Sequence, residues 1–484
     1  MATSSLRSLV TLSHFQTDHK LPSIIMRPNL HVLATLTICL ACATILLTGC
    51  PRRTRTSRQP SAQPPPAHQS TQAVKDTDNT RSELLPGKVP APQEGCLYHG
   101  VHPGGENGEE DVVLNDAGVI DSYANTVEHQ PAFVYFSHEW GHDEDRRQDI
   151  ANHAFPLEKI RAIAARGRIP FIRLMLRKSS DAACKKSEKY FLLENILGTW
   201  NEVKKPKKIY EEINADLREW GKVAREKYKG PLIVEWGTEA NNLTFHWNPA
   251  CRRDRDKAAY VAMFRRAFRH IVRTVTGPEP EKSNLTWVFH VTATGDPVPS
   301  DSGNEWNRMA DYYPDGTKED PVDVVDWLGV SVYGADNLQT GECETFAEQL
   351  KKAMGSKDDK GEDERLLAMA NRGRARQKPV FILEFGTALN YDQAGTKIAQ
   401  CAPETWIGQA FIEIFRRAAK GEIAGFSWWN ERFEGGGRGH KMLEMRFDHL
   451  QAPGINRETI LKAYNSSLND SHVAHAASGC GMPK

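Results

Sequence analysis

Two acidic side chains leave apolar runs at points where a carboxyl is costly to bury. Glu384 directly follows Phe381-Ile382-Leu383, and Glu239 stands just past Pro231–Trp236 (PLIVEW), in the turn Gly237–Asn242. A carboxylate so placed needs donors, a counter-charge or chemical work to do. Two of them on either side of one bond can divide the roles of nucleophile and general acid. Cleavage of a sugar acetal with retention sets such a pair about 5–5.5 Å apart. Other chemistry-bearing residues gather at the ends of similar runs: His99 and His102, His138 and Glu139, His290, Tyr333, and Trp428-Trp429-Asn430-Glu431. Glu235 shares strand parity with Glu239 and competes with it; Glu139 and Glu431 compete with either glutamate. Arg173 and Arg177 are candidates for substrate contact or for ion pairs within the sheet. His99 and His102 stand at an odd offset, which on a strand sends them to opposite faces. No third ligand pattern accompanies them, so neither a metal nor another cofactor is expected.

Eight apolar runs must position these groups: Cys96–Val101, Ala132–Phe136, Pro170–Leu176, Pro231–Trp236, Leu285–Val291, Val325–Tyr333, Pro379–Phe385 and Ile423–Trp429. Between them the apolar spacing turns helical over Pro156–Arg166, Tyr210–Tyr228, Lys257–Val275, Phe346–Met354, Thr405–Lys420 and Arg457–Ser466. Buried strands alternating with covering helices build a parallel sheet. Eight such units predict an α/β fold, a closed (β/α)8 TIM barrel, with an open doubly wound sheet as the alternative. In such a barrel functional groups collect at the C-terminal strand ends, and strands four and seven face each other across the mouth.

At these residues the chain resembles the clan A glycoside hydrolases, and within them family 26, the β-mannanase-like enzymes. Lys378–Gly386 (KPVFILEFG) is similar to the family's strand-seven motif, a Glu-Phe-Gly after an apolar run. Glu235–Asn242 (EWGTEANN) resembles its strand-four motif, with Thr238 and Ala240-Asn241-Asn242 where the family usually has His and Met-Asn-Gly. The resemblance spans roughly Cys96 to Leu468. It implies a retaining enzyme with Glu384 as nucleophile and Glu239 as acid/base. Val325–Gly334 resembles the strand whose tyrosine bonds the nucleophile, which implies that role for Tyr333. The strand-eight end implies a sugar platform made by Trp428 or Trp429, only one of which can face inward. Trp236, Asn242 and His290 complete the expected substrate-contacting set. The implied activity is hydrolysis of a β-linked polysaccharide, β-mannan first, with β-xylan and mixed-linkage β-glucan as alternatives. A non-catalytic glycan-binding lipoprotein and a metal-dependent barrel hydrolase are the rivals of other classes.

The 484-residue chain balances 62 Lys+Arg against 62 Asp+Glu, which speaks against a nucleic-acid partner. Near its start, Val32–Leu47 is almost unbroken apolar sequence behind Arg27, short for a membrane span and suited to the core of a signal peptide. Met26 is an alternative translation start. Leu47-Thr48-Gly49-Cys50 resembles the bacterial lipoprotein box, which implies lipidation of Cys50 and attachment to a membrane. Residues 51–92 are rich in Pro, Ser, Thr and Gln and lack the apolar surface to offset chain entropy. The expected organisation is therefore a signal peptide over 1–49, lipidated Cys50 and a linker over 50–94, and a catalytic body over 95–484. The body is expected at the bacterial envelope, on the outer membrane or cell surface. Six of the nine cysteines fall in that body: Cys96, Cys184, Cys251, Cys343, Cys401 and Cys480. An even set suits an exported protein, and barrel adjacency pairs Cys184 with Cys251, Cys343 with Cys401, and Cys96 with Cys480. Mass spectrometry of non-reduced peptides should find three disulfides among these six; six free thiols would overturn the expectation.

Overall fold

The computed structural model of the protein describes residues 87–106, 109–141, 152–177, 190–199, 206–252, 256–279, 283–318, 320–334, 345–355, 365–371, 377–387, 390–391, 402–435, 441–449 and 456–475. All of them lie in the second of two compact units, Asp78–Lys484. The expected signal peptide, Cys50 and most of the expected linker lie outside the described residues, as do Cys184, Cys343, Cys401 and Cys480. Cys96 and Cys251 are each disulfide-bonded.

Each of the eight apolar runs forms a strand: β1 (Leu97–Pro103), β2 (Phe133–Glu139), β3 (Ile169–Met175), β4 (Leu232–Trp236), β5 (Leu285–Thr292), β6 (Trp327–Gly334), β7 (Val380–Thr387) and β8 (Gly425–Asn430). Neighbours in sequence pair in parallel, and β8 returns to β1 with Tyr98 opposite Gly425 and Pro103 opposite Asn430. The sheet is thus closed, a (β/α)8 barrel rather than the open alternative. The helices α1 (Gly118–Val127), α2 (Leu157–Ala164), α3 (Pro206–Val223), α4 (Lys257–Thr276), α5 (Phe346–Met354), α6 (Pro403–Ala418) and α7 (Arg457–Leu468) cover it. Between β5 and β6 the described residues form only the short turns Glu305–Asn307 and Met309–Tyr312. Local chemistry starts the helices where the sequence does: Asp256 caps α4 by accepting from the Ala259 N–H, and Thr345 and Glu348 form a reciprocal capping box at α5.

Strand parity divides the apolar residues into two cores. Leu232, Val234 and Trp236 of β4 pack outward under the helices, whereas Ile233 faces the barrel interior with Phe133, Tyr135, Phe171, Val288, Phe381 and Leu383. Burial on both faces is why the runs read as continuous rather than alternating. The interior core also takes in Val89. Its N–H donates to Thr286 Oγ1 at 2.8 Å, and Lys88 pairs with Asp326 at 2.8 Å. The packed body therefore begins before Gly95, where the linker was expected to end. One valine among prolines carries no periodic signal, so that contact could not be read from spacing.

β7 departs from regular pairing at the residue that matters most. Against β6, Val330 pairs with Ile382 but Ser331 pairs with Glu384; against β8, the pairing steps from Ile382 to Phe385 while β8 advances only from Phe426 to Trp428. One extra residue is inserted in β7, a β-bulge. Leu383 fills the interior, and the following side chain, which strict alternation would send outward, is re-aimed. Gly329 on β6 makes the room: a Cβ there would lie 2.2 Å from Leu383 Cδ1. Gly329→Val should therefore cost on the order of 1–3 kcal/mol of stability, measured as a lowered Tm; an unchanged Tm would show that the bulge does not depend on this contact.

Candidate active site

Glu384 comes out of the bulge into the barrel mouth and is nearly fully buried. The Tyr333 hydroxyl, from the end of β6, donates to its Oε2 at 2.7 Å, and Arg173 Nη1, from β3, lies 3.4 Å from its Oε1. Burial, followed by the negative charge of Glu239, pushes the Glu384 carboxyl up to about 8, against the pull of Arg173, His290 and the Tyr333 hydrogen bond. Glu239 also bears electrostatically on Tyr333 and His290. The two glutamates picked out from the sequence thus meet in one electrostatic neighbourhood. Two like charges in a poorly solvated site resist double ionisation, which is the direction in which Glu384 is moved.

Glu239 owes its direction to a tight turn after β4. Gly237 has φ 72°, and Glu239 itself has φ 46°, a left-handed conformation that costs a non-glycine residue roughly 1 kcal/mol or more. The turn is lashed to β5: the Ala240 N–H donates to the His290 carbonyl at 3.0 Å, and Asn241 Oδ1 accepts from the Thr292 N–H at 2.8 Å. Asn242 Nδ2 then donates to Glu239 Oε2 at 2.6 Å. Asn242, expected to contact substrate, is placed to orient the acid.

Arg173 is the cation around which the mouth is built. It is buried, its Nε donates to Thr238 Oγ1 at 3.0 Å, and its Nη1 lies 3.4 Å from Glu110 as well as from Glu384. Burial pulls the guanidinium down, but Glu110, Tyr135, Glu384 and Glu235 more than reverse it. Glu110 lies in the loop after β1 and has no apolar run to mark it, so sequence reasoning passed it over. It accepts from Ser137 Oγ at 2.7 Å; burial raises its carboxyl, yet Arg173 and Arg177 hold it at about 2. Arg177 also pairs with Glu139, so Glu139 belongs to an ion-pair cluster at the rim. The two arginines are neither simple wall residues nor free substrate ligands.

His290, expected to contact substrate, lies deeper. It is wholly buried; its Nδ1 is 3.0 Å from Glu235 Oε1 and its Nε2 is 2.8 Å from Ser331 Oγ. Burial lowers the imidazole pKa, and Glu235 reverses this to a net rise. Glu235 is raised by burial, but His290 leads the groups that bring it below its ordinary value. These two shifts describe one buried ion pair beneath the mouth. Glu235 therefore competes with Glu239 by parity only, because a fully buried carboxylate has no access to a ligand.

The tryptophans separate as parity requires. Trp429 turns inward, its ring stacked on His102 at 3.7 Å and 9°, with Arg173 5.5 Å from the ring centroid. Trp428 turns outward against Phe385, Phe447 and Tyr464 and donates its indole N–H to the Met445 carbonyl. Trp236 likewise packs outward on Phe264, Phe268 and Trp247. Trp428 and Trp236 are thus corrected from expected sugar contacts to core residues. His102 Nδ1 donates to the Tyr135 carbonyl at 3.0 Å, and burial takes its pKa down to about 3. Glu431, 3.4 Å from His102 Nε2, is pushed well above the usual carboxylate range by burial and then by Glu110. His99 points the other way, toward Tyr123 and His475. Among the described residues no group of three His, Cys, Asp or Glu side chains is arranged to hold a metal ion.

The raised Glu384 pKa fixes the sign of a stability effect. A carboxyl lifted from 4.5 to about 8 favours the folded state below pH 4.5. That contribution is lost as pH rises through the folded value. Glu384→Gln should therefore match the parent Tm near pH 4 and exceed it increasingly up to about pH 8. Equal Tm values at pH 4 and pH 8.5 would rule out a strained carboxylate.

No protein-family model and no curated protein sequence matches the chain. Solved structures do resemble it. The catalytic domain of a Bacillus sp. JAMB-750 family 26 endo-β-1,4-mannanase is 16% identical, with 80% of this chain and 89% of that one covered and a TM-score of 0.49. A Cellulomonas fimi endo-β-1,4-mannanase double mutant is 15% identical over 81% of this chain and 78% of that one, with a TM-score of 0.48. A Bacillus subtilis mannanase is 13% identical over 83% and 92%, with a TM-score of 0.47.

Proposed function

We propose that the protein hydrolyses a β-linked polysaccharide with retention of configuration. Glu384 attacks the anomeric carbon while Glu239 protonates the departing oxygen; Glu239 then takes a proton from the water that releases the glycosyl-enzyme. The observation that carries this reading is the pairing of Glu384, held by Tyr333 and Arg173, with Glu239, held by Asn242. The first step requires one proton between the two carboxyls, placed on Glu239 beside the leaving oxygen while Glu384 is charged. In the glycosyl-enzyme Glu239, having given up its proton, is a carboxylate, and Glu384, now esterified, carries no charge to oppose it, so Glu239 can act as the base. Trp429 offers an aromatic surface for an apolar sugar face. The strand-four and strand-seven motifs put β-mannan first among substrates, with β-xylan and mixed-linkage β-glucan next. We further propose that the body is exported and tethered through lipid on Cys50, facing polymer outside the cell.

A panel of these three glycans, followed by reducing-end assay, tests the reading. The wild type should cut at least one of them and release, by NMR, the same anomer as in the substrate. Glu384→Ala should lose at least about 10³-fold in kcat while still binding the glycan. Azide should restore turnover of an activated aryl glycoside by Glu239→Ala. Failure to cut any β-glycan with binding retained would leave a glycan-binding protein, and an inverted product would exclude the double displacement.

A further inference from the structure

We propose that Glu235 is the positioning residue of this site: through Thr238 it fixes both the turn that presents Glu239 and the arginine that faces Glu384. The inference rests on the hydrolase reading for its kinetic consequences but on geometry for its existence. Glu235 sits at the end of β4, wholly buried. Its carboxylate is consumed by three partners from three different elements. Tyr135 of β2 donates to Oε2 at 2.7 Å, His290 of β5 lies 3.0 Å from Oε1, and Thr238 donates its hydroxyl to Oε1 as well. No substrate group can reach such an acid, so its role is exerted through the residues it holds.

Thr238 is the link. Its single hydroxyl hydrogen goes to Glu235, which leaves its lone pairs free to accept from Arg173 Nε at 3.0 Å. Its carbonyl accepts from the Trp247 indole N–H at 3.0 Å. Thr238 is the residue immediately before Glu239, between two positions of positive φ. A hydroxyl pinned on both sides therefore anchors a strained turn and sets the orientation of the guanidinium that lies against Glu384. The other charged groups facing this chain are Glu384 on β7, Glu239 in the turn and Glu110 after β1; Tyr333 faces Glu384 from β6. Preorganised donors and charges of this kind raise kcat without changing substrate affinity.

The test compares Glu235→Gln, Thr238→Val and Thr238→Ser in the full chain. Glu235→Gln and Thr238→Val should each lower kcat at least about 30-fold with KM within about threefold, and the double variant should lose little more than either alone. Thr238→Ser keeps the hydroxyl and should stay within about threefold of the parent. In Glu235→Gln, His290 loses the partner that keeps it charged, so its pull on Glu384 is lost and the acid limb of kcat/KM should move up by about half a pH unit or more. The same midpoint can be read without substrate from ¹³C-labelled glutamate by NMR, with Glu384→Gln assigning the signal. A wild type inert on every β-glycan sinks the hydrolase reading alone, because the NMR midpoint still judges Glu235. An unmoved midpoint, or Thr238→Val as active as Thr238→Ser, overturns the role of Glu235. Thermal melts of all variants separate a lost fold from a lost arrangement.

Discussion

A buried guanidinium is the condition on which this barrel mouth rests. The interior offers little water, so each carboxyl there must meet a cation, gather donors or hold a proton. Arg173 supplies the cation, within reach of Glu110 and Glu384 and tied through Thr238 to Glu235. The neighbouring acids divide according to what else they can find. Glu110 has two arginines and a serine hydroxyl, and its pKa falls to about 2. Glu235 has His290, Thr238 and Tyr135 and also titrates low. Glu431 has the neutral His102 at 3.4 Å, and burial followed by the charge of Glu110 outweighs the pull of Arg173 and of the Trp429 hydrogen bond, so its pKa rises instead. Glu384 stands between these cases, since its cation is opposed by burial and by Glu239. An acid so poised can carry charge in one step of a reaction and do without it in the next.

The backbone achieves this convergence by two local irregularities on a regular scaffold. In β7 an inserted residue turns Glu384 inward after Leu383 has already filled the interior, and Gly329 leaves the space for it. After β4 a pair of positive φ angles lifts Glu239 clear of the strand, and Asn241 and Ala240 tie that turn to β5. Both devices cost conformational energy, and both occur at the ends of strands whose cores are tightly packed on two sides. A rigid cylinder can sustain such strain where an isolated loop would relax.

Aromatic placement follows the same parity logic. His102 covers one face of Trp429, so only the rest of that indole surface remains for a ligand. Trp428 and Trp236 belong to the outer core, where Trp428 packs against Tyr464 of α7 and Trp236 against Phe264 of α4. A cluster of tryptophans at strand ends therefore says less about a sugar site than the register of each one.

Much of this was legible in the residues themselves. Continuous apolar runs separated by amphipathic stretches determine a doubly covered parallel sheet, and a glutamate at the end of such a run marks a place where burial must be answered by chemistry. Alternation alone separates Trp428 from Trp429 and His99 from His102, although not which member of each pair faces inward. The rest depends on register, which no window of the chain contains. The bulge in β7 is visible only against β6 and β8. Glu110 gains its meaning from arginines more than sixty residues away, Arg173 on β3 and Arg177 just past its end. His290 reads as a site histidine in sequence and becomes the partner of Glu235 once β4 and β5 lie side by side. Side-chain type set which groups could do chemistry; closure of the barrel decided which of them share charge, because electrostatic coupling depends on distance in space and not along the chain.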